Sequence, residues 1–145
     1  DETVALAVGT RDGERDCGFF VAAVGEGHLS LLLDGQADWV ETNTFLAPQH
    51  WYYLAVTLKA GEEKTTVNAY LVDLAGGKRE LQQVLDNREV PGLPATSRLG
   101  IGKGFDYAGA HAYPWSGELD EVAVYDAVLG AAELQTHVDA LCAGE

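Results

Sequence analysis

Apolar residues along this chain come in short runs that alternate with polar ones and stop at glycine-rich turns. A period of two over four to eight residues predicts strands, whereas a helix needs apolar positions three and four apart. Residues 4–8 form the first run, closed by Arg11, Asp12 and Gly13. Residues 19–24 and 28–33 flank Gly25-Glu26-Gly27, and together they predict an antiparallel hairpin. Residues 38–42 give a weaker strand, broken by Pro48. The clearest pattern is residues 50–58. There Tyr52, Leu54, Val56 and Leu58 share one face, and Trp51, Tyr53, Ala55 and Thr57 share the other. Both faces are largely apolar, which predicts a central strand with its aromatic side chains in the core.

Residues 65–74 continue the pattern, with Val67, Ala69, Leu71 and Asp73 on one face. Gly76-Gly77 leads to a mostly polar strand at 78–85, then a loop at 91–94 and a short strand at 97–102. Residues 104–114 are rich in glycine and aromatics and predict a long surface loop. Residues 116–125 predict the last strand, set beside the one that begins at His50. Only the tail has helical spacing. Leu134, Val138 and Leu141 fall at i, i+4 and i+7, Gly130 can serve as N-cap, and Glu133 sits in the first turn. The prediction is an all-β, antiparallel two-sheet sandwich with one short C-terminal helix, spanning 1–145 as a single domain.

The chain has 145 residues, of which 47% are hydrophobic and 22% charged, so it can build a core and is not disordered. No apolar run reaches the ~18 residues of a membrane span. There is no Met and no signal-peptide profile at the start, which predicts a processed product or part of a longer polypeptide. The formal net charge of −14 works against nucleic acid and anionic membrane as partners. Cations, neutral sugars and basic protein surfaces stay open, and so does a role of the charge in solubility alone.

Cys17 and Cys142 lie far apart and outside any CxxC pattern, so neither a redox motif nor a zinc knuckle is expected. Bridged, they would close a long loop and contribute about 4–5 kcal/mol by chain entropy. Separate free thiols are the equal alternative. His28, His50, His111 and His137 have no HExxH spacing, and there is no GxSxG elbow. Gly100-Ile101-Gly102-Lys103-Gly104 lacks the GK[ST] ending and helix of a phosphate loop, and is a strand-edge turn.

Three ordered segments carry a family resemblance. His50-Trp51-Tyr52-Tyr53-Leu54-Ala55-Val56-Thr57-Leu58, Arg98-Leu99-Gly100-Ile101-Gly102, and Trp115-Ser116-Gly117-Glu118-Leu119-Asp120-Glu121-Val122-Ala123-Val124-Tyr125 with the following Ala127-Val128-Leu129 and Glu133-Leu134 resemble strands of the laminin-G-like family. That family belongs to the concanavalin A-like lectin/glucanase superfamily. The resemblance implies a jelly roll and a non-catalytic binding or adhesion module of a larger exported or cell-surface protein. The family's usual opening strands are not matched, which predicts that the N-terminal strands are lacking. A partner chain completing the sheets, or a longer parent, would then supply them.

Retaining glucanases of the superfamily carry acids at i, i+2 and i+4 or i+5 on one strand. Glu118 and Asp120 meet the first two positions, but Val122 and Ala123 stand at the third. Glycoside hydrolysis, which needs two facing carboxylates, is therefore the least favoured reading. In similar domains an acid near this signature joins a calcium site, which makes Asp120 a candidate ligand and Asp106 a second. Capping a turn or pairing with a cation is the plainer role for Asp120. In the 104–114 loop, Asp106, Tyr107, His111 and Tyr113 are the candidate ligand-binding residues, since sugars stack on aromatic faces and polar groups fix their orientation. Trp115 is expected to pack. Carbohydrate is placed slightly ahead of protein as the ligand, and a structural role docking on a partner chain is the alternative.

Overall fold

Strands dominate the computed structural model, which describes residues 4–12, 16–33, 40–92, 98–102, 104–105, 111–112 and 114–143. In chain order these are β1 (Val4–Asp12), β2 (Asp16–Val24), β3 (His28–Leu33), β4 (Val40–Phe45), β5 (Tyr52–Ala60), β6 (Lys64–Asp73), β7 (Gln82–Pro91), β8 (Arg98–Ile101), β9 (Gly104–Phe105), β10 (His111–Ala112) and the helix α1 (Ala131–Cys142). A 3₁₀ turn at Leu74–Gly76 follows β6. The described strands form an antiparallel five-stranded sheet, β4-β3-β2-β1-β8, a three-stranded sheet, β5-β6-β7, and a ribbon of β9 and β10. This is the expected all-β sandwich with one C-terminal helix.

The core lies between the two larger sheets because alternation sends every second residue inward. Val21, Leu29, Leu31, Leu33 and Val40 come from one side, and Val67, Ala69, Leu71 and Val90 from the other. Tyr52, Leu54, Val56 and Leu58 of β5 pack against this cluster, the face predicted from their spacing. The β2–β3 hairpin also forms as expected, with Val24 opposite His28. Gly25 and Gly27 take positive φ in its turn. Gly27 matters most, since its C=O accepts from Leu46 N at 2.8 Å. A Cβ on it would stand 2.9 Å from the Leu46 carbonyl oxygen.

Five expectations are corrected. Among the described residues β5 is an edge strand, paired only with β6. Its outer face is apolar because α1 lies there: the Tyr53 hydroxyl meets His137 Nδ1 at 3.4 Å. Tyr70 and Val72, on the same outer face of β6, are buried, as are Leu134 and Val138 of α1. The aromatic side chains of 51–53 are thus not all core, and Trp51 is exposed.

The polar strand lies at Gln82–Pro91 rather than 78–85. Arg79 and Leu81 instead bond to Gln135 of α1, and a bulge with Asn87 at φ 44° interrupts the alternation that would have extended the reading to Val90. β9 and β10 sit inside the segment read as loop. Residues 116–125 form no strand. Glu121 has φ 50°, and no backbone–backbone hydrogen bond joins this segment to its neighbours among the described residues.

The helix starts where predicted. Gly130 N–H donates to Glu133 Oε2 at 2.7 Å, and Leu134 and Val138 are buried, but Leu141 is 43% exposed. Cys142, at its end, is half-buried and carries a free thiol here, while the Cys17 side chain lies outside the described residues.

Candidate functional site

The ribbon is the part of the molecule nearest the expected ligand site. β9 lies beside β1 and β8, at the open side of the five-stranded sheet. Its pairing with β10 sets His111 opposite Phe105 and Ala112 opposite Gly104. The two ends of the aromatic-rich stretch are therefore paired with each other. Asp106, Tyr107 and Tyr113 lie outside the described residues, and His111 is located by its backbone register alone.

Downstream, Trp115 N–H donates to Gly102 O at 2.7 Å, tying the next segment to the end of β8. The half-buried indole of Trp115 packs so closely that a Cβ on Gly117 would lie 2.9 Å from its Nε1. Asp120 is exposed, and its Oδ1 accepts the amide of Glu121 at 2.9 Å. It thus takes up the turn-capping role. A calcium ion needs six to eight oxygen ligands. No three His, Cys, Asp or Glu side chains converge on a cation position among the described residues, and Asp120 brings one carboxylate. The same geometry bears on Glu118 and Asp120 as an acid pair. Their common strand face required a strand at 116–125, and that strand is not there.

Two side-chain groups escaped the sequence reading. His50 Nδ1 and Asp73 Oδ2 stand 3.0 Å apart at the mouth of the β5–β6 hairpin, with Asp73 Oδ1 also accepting Ala75 N–H at 2.9 Å. The hydrogen bond from His50, then the amides of Ala75 and Gly76, hold the Asp73 carboxyl below its ordinary pKa. The signal was available in the register, because Tyr52 pairs with Asp73 and His50 lies two residues before it.

The second group joins β5, α1 and the segment before α1. Tyr125 stacks on His137 with ring centroids 5.7 Å apart, and His137 reaches the Tyr53 hydroxyl. Burial, reinforced by neighbouring Tyr125, raises the Tyr53 phenol above its ordinary pKa. No sequence spacing links these three positions. Elsewhere, the His28 ring stacks on Phe45 at 4.6 Å, and its buried Nε2 has no partner among the described residues.

Among the described residues these groups offer aromatic and polar side chains, Phe45 and Tyr125 exposed among them, on the sheets and beside α1. No described helix is long and apolar enough to cross a membrane. No curated protein and no solved structure matches the chain. A laminin-G family model, described as the concanavalin A-like lectin/glucanases superfamily, matches residues 1–135. Domains of this family are in general binding modules without catalysis. With that match and a two-sheet antiparallel sandwich, the chain belongs to the laminin-G-like family of the concanavalin A-like lectin/glucanase superfamily.

Proposed function

We propose that this domain is a non-catalytic carbohydrate-binding module of a larger exported or cell-surface protein. The supporting observation is the β9–β10 ribbon, which fixes both ends of the aromatic-rich stretch on a rigid sheet. Sites placed by rigid elements lose little freedom on binding. Tyr107 and Tyr113 would supply stacking faces, and Asp106 and His111 the polar contacts that orient sugar hydroxyls. Calcium would join through Asp106, Asp120 and loop carbonyls, orienting the same loop.

A glycan array run with calcium and with chelator tests the reading, repeated on Tyr107→Ala and Tyr113→Ala. The expected result is binding to a defined set of glycans that both variants lose and chelator weakens. An array with no bound glycan under either condition overturns it.

A further inference from the structure

The charge of this chain is unevenly placed. All nine Lys and Arg lie at or before Lys103, while residues 104–145 contain eight Asp and Glu and no Lys or Arg. The last 42 residues thus hold −8 of the formal −14. Within them, residues 116–128 carry Glu118, Asp120, Glu121 and Asp126 interleaved with Leu119, Val122, Val124, Tyr125 and Val128. All nine side chains are exposed, Val124 by 74%. Large apolar side chains standing this close together on the surface mark an interaction site more often than chance exposure.

The segment is also held at both ends while its backbone makes no ladder with the described strands. Trp115 fastens one end to Gly102, Gly130 is fixed to α1 at the other, and Tyr125 stacks on His137. Between these points no backbone–backbone hydrogen bond forms among the described residues, and the one amide with a protein acceptor, that of Glu121, is satisfied by Asp120. A strip without ladder partners among the described residues, anchored at both ends, can take up a second strand at low ordering cost.

We propose that residues 116–128 are a docking strip for an extended polypeptide segment in which Lys or Arg alternates with apolar residues. The occupant follows from complementarity. Apolar positions of the incoming strand would cover Leu119, Val122 and Val124, and its cations would meet the four carboxylates. A second copy of the strip would bring like charge against like charge, and nucleic acid or anionic lipid would be repelled. This goes beyond the glycan reading and does not rest on it, because it uses neither the ribbon nor its loop.

The test uses the whole chain and three synthetic ten-residue peptides, alternating Lys–Val, Lys–Ser and Glu–Val, followed by calorimetry and by amide hydrogen exchange. The Lys–Val peptide should bind, slow exchange across 117–125, and weaken about tenfold as salt is raised through the screening range. The triple variant Glu118→Lys, Glu121→Lys, Asp126→Lys alters only exposed side chains and leaves the Asp120 cap on the Glu121 amide in place. It should lose Lys–Val binding by about tenfold or more and gain Glu–Val binding, with the circular dichroism of the sandwich unchanged. Equal binding of Lys–Ser, no binding of Lys–Val, a dimer of this chain that protects the strip, or slow exchange of 117–125 in the free monomer would each overturn the proposal.

Discussion

The side chain of Gln135 meets the backbone of Leu81 as a strand would. Its Oε1 accepts Leu81 N–H at 2.8 Å while its Nε2 donates to Arg79 O at 2.8 Å. One amide thereby satisfies a donor and an acceptor just before β7, and ties α1 to the three-stranded sheet. The arrangement is completed from the other direction, since Arg79 Nη1 donates to the Cys142 carbonyl at the end of the helix at 2.7 Å. Gln135→Leu keeps the bulk and removes these bonds, taking its acceptor from the part-buried Leu81 amide. A loss of about 1–3 kcal/mol in urea unfolding is expected, with faster exchange of the Leu81 amide. Gln135→Glu retains the acceptor and should cost less. Equal stability of all three proteins would show that α1 is held by its apolar side alone.

That apolar side has unequal members. Leu134 is 3% exposed, whereas Leu141, one turn beyond Val138, is 43% exposed. Truncating Leu134 to Ala opens a cavity under the helix and is expected to cost about 2–5 kcal/mol. The same change at Leu141 should stay within about 0.5 kcal/mol. Thermal or urea unfolding of the two variants side by side measures the difference, and similar losses would mean that Leu141 also packs.

Strand-forming periodicity carried most of the fold. The inner face of β5 and the β2–β3 hairpin follow from alternation and from Gly25 and Gly27, which are local features. Misreadings arose where a tertiary partner decided the outcome. The outer face of β5 is apolar for the sake of α1, not for a second neighbouring strand, and a pattern of two apolar faces cannot tell these apart. At 116–125 the alternation is real, but Glu121 takes a left-handed backbone and the segment finds no ladder partner among the described residues. The carboxylate face inferred for Glu118 and Asp120 fell with the strand. His50 and Asp73 were legible only through the β5–β6 register, which no single run of residues contains.

Gly27 is a position where backbone conformation excludes other residues. Its φ of 100° lies outside the range that side chains accept readily, and the added Cβ would face the Leu46 carbonyl at 2.9 Å. Because the obstacle is backbone, it cannot rotate away. Gly27→Ala should therefore destabilise by about 1–3 kcal/mol and break the Leu46 N–H bond to residue 27. By contrast Gly25→Ala meets nothing within 4 Å and carries only the strain of its φ of 59°. A denaturation midpoint for Gly27→Ala equal to or above that of Gly25→Ala would contradict this ordering.

The His50–Asp73 pair gives acid stability a defined sign. Asp73 has a lower pKa in the folded chain than in the unfolded one, chiefly through the His50 hydrogen bond. Its stabilisation is therefore fully present above the ordinary carboxylate pKa near 3.8 and is lost as pH falls through the depressed folded value. Asp73→Asn keeps an acceptor for the Ala75 amide but removes the titrating charge. Between neutral pH and about pH 5 the variant should be the less stable of the two. Below about pH 4 the gap should narrow, because Asp73 of the unfolded chain then takes up its proton, and it should close as pH passes the depressed folded value. Unfolding curves recorded for both proteins at a series of pH values would show this convergence. A gap that stays constant down to strongly acidic pH would mean that the pair contributes by packing and not by charge, and that His50 is not the group holding the carboxylate ionised.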